Sequence, residues 1–305
     1  MSDIRFGLKT SPAHVGYDDI LRVWEEADGI PEIDDCWLWD HLLPLVGPPD
    51  GAAFEGWTLL AALAARTERL GLGMLVTNNR MRRPAVLGKI ATTVDVISGG
   101  RLIMGLGVGG TRQPAGAGGV PGPNPAIAEY AAYGLPLVGP GEGVTRLAET
   151  VDILTRMWTE DVFDFDGPHT VLRGTRNNPR PVRPGGPPLL IGGWGDRVLR
   201  LVAAHADIWN IPGPPHNPVA HIADRARLLD AHCAEIGRDP AEITRSVQIL
   251  VSYDDLPAAR TTVRELAAIG VDHIVLGLRT PYPKNAARLL TDEIIVPAQH
   301  TLSPS

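Results

Sequence analysis

Eight short apolar segments alternate with stretches of helical periodicity along the 305 residues of this chain. Glycine-rich turns follow several of the apolar segments, as at residues 105–110 and 192–195. Strands that alternate with helices form parallel sheets, and eight such units close into a (β/α)8 TIM barrel. We therefore predict an α/β fold in which residues 1–305 form a single (β/α)8 barrel domain. Because such barrels keep their chemistry in the loops after the strands, the strand ends are the places to search for functional residues.

The spacing of the apolar segments predicts the positions of the barrel strands. The predicted strands are residues 5–9, 36–39, 70–77, 101–106, 189–191, 206–211, 246–251 and 273–278. Two irregular stretches, at about 109–143 and 161–188, are too long for ordinary connections and are expected as insertions at the C-terminal face of the barrel. Within the first, residues 111–125 are expected to be an additional segment that forms either a lid or a disordered insertion. Within the second, Phe163 and Phe165 indicate a small hairpin.

Composition excludes several classes of protein. The net charge of −7 argues against nucleic acid as a partner, because phosphate binding requires a basic face. The sequence has no apolar run of the roughly 20 residues that a membrane helix needs and no signal peptide at its start, so we expect a soluble cytoplasmic protein. Cys36 and Cys233 are then expected as two buried thiols rather than a disulfide. The histidines show no metal-ligand spacing, which disfavours a metal site.

The strongest chemical candidate is the pair Asp40 and His41 at the end of the second predicted strand. An imidazole at this edge of a barrel, oriented by a carboxylate, exchanges protons near neutral pH or donates a hydrogen bond to a cofactor ring. The alternative is a helix-capping aspartate beside an incidental polar histidine. The position at the strand end, more than the residue types, supports a functional role.

Further candidates follow the other strands. The turns at 105–110 and 192–195 offer backbone amides that bind phosphate without side chains, although many such turns only permit tight connections. Three arginines within 80–83 either pair with acidic groups of a ligand or, for at least two of them, form a solvated basic loop. Four tryptophans lie at or near strand ends: Trp37, Trp39, Trp194 and Trp209. They are expected to form the walls of a pocket for a flat ring, although a core role is favoured for Trp37 and Trp209.

An ordered set of motifs extends over nearly the whole chain. They are WDH at 39–41, LGMLVT at 72–77, RPAVLGK at 83–89, DVISGGRL at 95–102, GLGVG at 105–109, EY and AYG at 129–134, the stretch 187–193, and ADIWN at 206–210. This set resembles the bacterial luciferase-like flavin-dependent oxidoreductases. The family implies a (β/α)8 barrel that binds FMN or the deazaflavin coenzyme F420 at its C-terminal face, and the Asp-His pair resembles the F420 branch.

The resemblance implies roles for particular residues. Proton transfer falls to His41, with Asp40 as its neighbour. A non-proline cis peptide is expected at Met74–Leu75, behind the cofactor ring. The residues expected to contact the cofactor are Met74, Leu75, Thr77, Asn78, Gly107, Val108, Gly193, Trp194 and Gly195. The chain departs from the sugar-phosphate dehydrogenases of that branch at Gly110, where they have a glutamate, and near Leu45, where they have a tryptophan, so neither their substrate nor their acid-base pair is assumed.

Three functional hypotheses remain open. The first is an F420-dependent oxidoreductase that transfers hydride between the deazaflavin and a small organic substrate. The second is an FMN-dependent monooxygenase supplied by a separate cofactor reductase. The third, from another class, is a cofactor- or partner-binding barrel without turnover. By the same resemblance we expect a homodimer formed through the helices after the second and third strands, and no membrane partner.

Overall fold

The computed structural model describes residues 4–110 and 125–302. The expected insertion at 111–125 therefore lies outside the described residues, apart from Pro125. In chain order the strands are β1 (Arg5–Lys9), β2 (Asp35–Leu38), β3 (Gly71–Met74), β4 (Thr77–Asn78), β5 (Leu102–Gly107), β6 (Phe163–Asp166), β7 (Val171–Thr175), β8 (Leu189–Gly192), β9 (Ile208–Pro212), β10 (Thr244–Leu250) and β11 (His273–Gly277).

Nine of these strands form one closed parallel barrel. Their order is β3-β2-β1-β11-β10-β9-β8-β5-β4, and a further pairing of β3 with β5 closes the ring. Since β3 and β4 are two halves of one strand position, the barrel has eight positions, as predicted. The antiparallel pair β6 and β7 lies outside the barrel and is the expected hairpin.

Helices cover the barrel between the strands. They are α1 (Tyr17–Asp28), α2 (Gly56–Ala64), α3 (Pro84–Ile97), α4 (Pro125–Ala132), α5 (Pro140–Thr159), α6 (Asp196–His205), α7 (Val219–Glu235), α8 (Leu256–Ala268), α9 (Ala286–Leu290) and α10 (Val296–Leu302). Proline in the first turn of α3 and α5 has no N–H, so it removes one of the donors that the start of a helix leaves without a partner. A π-helical turn at Thr291–Ile295 separates α9 from α10. That wider turn brings the adjacent side chains Ile294 and Ile295 to the core together.

Burial follows the predicted pattern. A large apolar core joins the barrel wall to the inner faces of the helices, and Trp37 belongs to a second, smaller cluster. Both cysteines are buried free thiols. Trp37 and Trp209 are 0% and 1% exposed, which confirms their predicted core role. Among the described residues, no helix combines the length and the apolar character needed to cross a membrane.

The third barrel strand contains a bulge. Its pairing with β5 runs through Gly73 opposite Ile103, and resumes with Thr77 opposite Leu106. The bulged strand therefore has one residue more than its partner over this interval. A non-proline cis peptide lies at Leu75–Val76, so the expected position at Met74–Leu75 was wrong by one residue. The reason is that Leu75 still donates its amide to the carbonyl of Leu38, at 2.6 Å, and so stays paired with the second strand.

Gly105 allows the bulge to pack against β5. A Cβ atom on this residue would lie 1.9 Å from the carbonyl oxygen of Met74, a backbone atom that has no room to move. We expect Gly105→Ala to lower the free energy of unfolding by about 1–3 kcal/mol, the usual cost of overpacking. The matched control is Gly139→Ala, where a Cβ meets nothing within 4 Å. Urea denaturation of both variants measures the difference, and equal stabilities would contradict the packing argument.

Candidate functional site

A cavity of about 1080 Å³ opens at the carboxyl ends of the barrel strands. Two opposite arcs of the barrel supply much of its lining, and residues after β2 and on β9 lie between them. One arc is built by the bulge and by the turns after β5 and β8, and the other by the ends of β1, β10 and β11. The volume is large enough for a cofactor and a substrate together. The structure therefore places a ligand-sized space at the edge where the sequence predicted one.

The first arc is a smooth wall built on glycine. Leu75 and Val76 line the cavity beside Gly107 and Gly192. A Cβ on Gly107 would lie 2.4 Å from Cγ2 of Val76, and one on Gly192 would lie 2.9 Å from its Cγ1. The missing side chains thus let Val76 occupy the space between the two strands. The resulting surface is apolar, with Leu75 and Val76 beside two glycines, and it suits the face of a flat ring.

The same arc ends at the N-terminus of a helix whose N-cap residue is a glycine. Helix α6 begins after Gly195, its N-cap residue, which makes no side-chain hydrogen bond. A Cβ on Gly195 would meet nothing within 4 Å, so the approach to this end is open. The first amides of a helix have no partner within it and attract anions. With Val108, Gly193 and Trp194 also lining the cavity, this corner fits a phosphate group.

His41 lines the cavity and is held from behind by a buried carboxylate. Its Nδ1 lies 3.0 Å from Oε2 of Glu129, a residue of α4 that is 2% exposed. The other oxygen of Glu129 accepts from the amide of Leu42 at 2.6 Å. The ring packs edge-on against Trp39, with 5.4 Å between ring centroids. The orienting carboxylate that the sequence suggested is therefore Glu129, not Asp40.

Asp40 lies outside the cavity, in a buried ion pair. Arg82 donates to both of its oxygens, at 2.7 and 3.0 Å, and the amide of Asn78 donates at 2.9 Å. Arg82 also pairs with Glu55, whose carboxylate caps α2. Burial raises the pKa of Asp40, while Arg82 and the Asn78 amide oppose that change. Asp40 thus connects the ends of the second and third strands and supports His41 through the backbone.

Three further residues expected at the cofactor do not line the cavity. Met74 is fully buried in the core, and the Gly56 backbone packs against its methyl group. Thr77 is also fully buried, and its hydroxyl has no hydrogen-bond partner among the described residues. Asn78 accepts from the hydroxyl of Tyr130 at 2.8 Å and so connects β4 to α4. These residues shape the bulge from behind.

The other predicted candidates divide between the cavity and the protein interior. Trp39 and Trp194 line the cavity, as expected of tryptophans that wall a ring pocket. The expectation that at least two of the three arginines are solvated was wrong. Arg80 is 7% exposed and donates to the carbonyl of Pro136, and Arg82 binds Asp40, so only Arg83 is exposed. These two arginines therefore bind buried acceptors of the protein itself, and not acidic groups of a ligand.

Sequence reasoning missed the polar group of the second arc. Lys9, the last residue of β1, lines the cavity and donates to Oε1 of Gln248 on β10. Burial lowers the pKa of Lys9 to about 8. A signal was present, because the first predicted strand ended at Lys9 and strand ends were the places to search. Glu129 was quoted only as part of a motif, since nothing in the sequence connects it with His41.

Comparisons with known proteins agree with this architecture. A family model described as luciferase-like monooxygenase matches residues 6–293. The phthiodiolone/phenolphthiodiolone dimycocerosates ketoreductase of Mycobacterium tuberculosis is 28% identical over 300 residues, which cover 89% of this chain and 72% of the relative. A solved F420-dependent secondary alcohol dehydrogenase, in complex with an F420-acetone adduct, is 16% identical with a TM-score of 0.80 over 97% of this chain and 99% of its own. A riboflavin lyase with modified FMN and riboflavin is 15% identical with a TM-score of 0.74 over 98% and 92%.

Proposed function

We propose, since the chain belongs to the luciferase-like monooxygenase family and is an oxidoreductase, that it transfers hydride between coenzyme F420 and a small organic substrate. The observation that carries the proposal is the position of His41. It is a cavity-lining imidazole with one nitrogen bound to the buried Glu129. Opposite the polar second arc, the bulge and the uncapped α6 N-terminus offer a wall for a ring and a corner for a phosphate.

His41 is arranged to exchange a proton with a ligand. When Nδ1 donates to the carboxylate of Glu129, the tautomer and the orientation of the ring are both determined. Nε2 is then the nitrogen available to a molecule in the cavity. The edge contact with Trp39 limits rotation of the ring further. This arrangement supports a general acid-base role, in which His41 takes up or gives a proton as the substrate changes oxidation state.

The residues of the first arc fit the cofactor. The deazaflavin, when bound, supplies the hydride chemistry, and the protein supplies orientation and exclusion of water. Leu75 and Val76 would lie against the ring, and the amides of Gly107, Val108, Trp194 and Gly195 would hold the phosphate. The amide of Gly193, also expected there, donates instead to the carbonyl of Asn210 at 3.0 Å. Asp40, Met74, Thr77 and Asn78 would act by positioning these residues. The Asp-His pair supports F420, whereas the phosphate corner suits FMN equally well.

The alternative is an FMN-dependent monooxygenase with a separate reductase. The structural likeness to a riboflavin lyase with modified FMN supports this alternative. Oxygen consumption coupled to product formation, with reduced FMN supplied chemically, would identify this activity.

The proposal also extends to a homodimer through α2 and α3, because Val86, Val96 and Ile97 of α3 are exposed apolar side chains. Light scattering of the purified protein measures its mass in solution.

The decisive experiment is a calorimetric titration of the apoprotein with F420 and with FMN in parallel. We expect F420 to bind at least about 100-fold more tightly, a difference of roughly 2.7 kcal/mol. His41→Ala should retain the F420 affinity within about threefold, because the imidazole acts in turnover more than in binding. Tighter binding of FMN would move the assignment to oxygen-dependent chemistry, and binding of neither cofactor would overturn the proposal.

A further inference from the structure

The second arc of the cavity contains a lysine that has no counter-charge. Lys9 is largely buried, and its only hydrogen bond to a described residue goes to the neutral amide of Gln248. No ion pair joins it to a carboxylate of the described residues, and nothing there opposes the effect of burial on its pKa, which falls to about 8. A buried charge without a partner is costly in a folded protein. In a cavity, such a group fits a ligand that brings the missing negative charge.

A directed chain of hydrogen bonds keeps an acceptor facing Lys9. Asp35, below the cavity in the barrel interior, accepts from Nε2 of His273 at 3.1 Å, and Nδ1 of that ring lies 3.0 Å from Oγ of Ser246. The same hydroxyl oxygen accepts from Nδ2 of Asn210 at 2.8 Å. Asn210 in turn accepts from Nε2 of Gln248 at 3.1 Å.

The direction of this chain fixes the orientation of the Gln248 amide. Its Nε2 is used by Asn210, so its Oε1 is the atom that Lys9 meets. One of the three ammonium protons of Lys9 is therefore occupied, and the other two remain for a molecule in the cavity. Asn210 and Gln248 both line that cavity, so the chain ends at its surface.

The charge of the cavity as a whole agrees with an acidic ligand. Although the chain has a net charge of −7, none of the described residues that line the cavity is aspartate or glutamate. The titratable groups that share it with Lys9 are His14, His41, His216 and Arg279, which are cationic or neutral. Beside Lys9, the second arc also carries the neutral polar side chains of Thr10, Ser11, Gln248 and Thr280. Its apolar walls are Ala13, Ile249, Leu250 and Leu278.

We propose that Lys9 binds the carboxylate of the substrate, so that the substrate is an apolar organic acid. A single ammonium group with neutral amide neighbours matches one negative charge, and the apolar walls match the rest of the molecule. The proposal rests on the proposed function, because it names the substrate class for the same cavity. It places the acid on the arc opposite the α6 N-terminus, away from the phosphate corner.

The test compares an acid with its uncharged isostere on the apoprotein. At pH 6.5, calorimetry should show hexanoate binding at least about tenfold more tightly than hexanamide. Lys9→Met should remove most of that preference, and Lys9→Arg should retain part of it. Lys284→Met is the matched control, since it removes an exposed lysine and should leave the preference unchanged. Equal binding of acid and amide to the wild type, or failure of alkanoates from hexanoate to decanoate to bind, would overturn the proposal.

The pH dependence of the hexanoate preference identifies the group that binds the carboxylate. Lys9 is protonated below a pKa of about 8, so the preference for hexanoate should be present at pH 6.5 and lost by pH 9.5. The part of the pH dependence that Lys9→Met removes belongs to Lys9. A preference that survives in Lys9→Met at both pH values would assign the acid to another group and overturn the proposal.

Cofactor binding separates this proposal from the proposed function. Lys9→Met should bind F420 within about threefold of the wild type, because the phosphate corner is on the other arc. A loss of F420 affinity of tenfold or more would assign Lys9 to the cofactor and overturn the substrate proposal alone. If the wild type shows the hexanoate preference but binds no F420, the proposed function fails and the acid site stands.

Discussion

We expect Arg82→Met to lower the free energy of unfolding by about 3–5 kcal/mol at pH 8. Arg82 makes two hydrogen bonds to Asp40, whose side chain is 0% exposed. Without the guanidinium, the amide of Asn78 is the one donor that the buried carboxylate retains among residues 4–110 and 125–302. Removing one member of a buried ion pair costs more than removing both, because a charge then stays in an apolar environment. Urea denaturation measures the loss.

The pH dependence of that loss has a definite sign. Burial already raises the pKa of Asp40, and Arg82 opposes this, so the variant should have a still higher pKa at this carboxyl. Above that pKa the full penalty is present, and below it the carboxyl takes up a proton and the penalty falls. The deficit of Arg82→Met should therefore be smaller at pH 5 than at pH 8. An equal deficit at both values would show that lost packing, and not charge, is responsible.

Two variants serve as controls for this prediction. The double variant Asp40→Asn with Arg82→Met should lose less stability than Arg82→Met alone, because no buried charge remains. Arg66→Met breaks an ion pair with Glu25 in which both side chains are exposed, at 56% and 40%, and should change stability by about 1 kcal/mol or less. A double variant as unstable as the sum of its single variants would contradict the explanation by an unpaired charge.

The second large effect is expected on activity. His41→Ala should lower kcat by about 10²- to 10⁴-fold, the usual contribution of a positioned acid-base group. Glu129→Gln should lower kcat less, by roughly 10- to 100-fold, because it keeps a hydrogen-bonding group at Nδ1 but removes the charge. The measurement is the rate of F420 oxidation or reduction with a substrate from a screen of organic acids and their carbonyl derivatives.

The interpretation requires that both variants still fold and bind the cofactor. His300→Ala, on the exposed face of α10, is the matched control and should retain the wild-type rate. If His41 exchanges the proton, the pH profile of kcat should lose one limb in His41→Ala while the affinity for F420 stays within about threefold. A fall of kcat and F420 affinity by the same factor would instead indicate a role in binding.

Most of the barrel was predictable from the sequence, for a local reason. Each strand of the barrel is a short apolar run between turns, and its helix has its own periodicity, so each unit is recognisable without knowledge of the others. Strand β1 was predicted at Arg5–Lys9, with the bounds observed. The error at the cis peptide was one residue, because the pairing of Leu75 with Leu38 is a contact between separate segments.

The site was less predictable, because its partners are distant in sequence. His41 and Glu129 are 88 residues apart, and Asp40 and Arg82 are 42 apart. The sequence placed an acid beside His41 at Asp40, whereas folding brings a different acid to the ring and an arginine to Asp40. The chain from Asp35 to Lys9 crosses five barrel strands, so its order exists only in the closed barrel.

The distribution of tryptophan gives the protein a spectroscopic signal at its cavity. Of the seven tryptophans, Trp39 and Trp194 line the cavity, while Trp24, Trp37, Trp57, Trp158 and Trp209 are buried. Indoles in apolar surroundings fluoresce at shorter wavelengths than indoles in contact with water. A ring that binds over Trp39 and Trp194 should therefore quench the long-wavelength edge of the emission first and shift the remaining spectrum to the blue. Fluorescence can then distinguish occupancy of the cavity from binding elsewhere on the surface without any label.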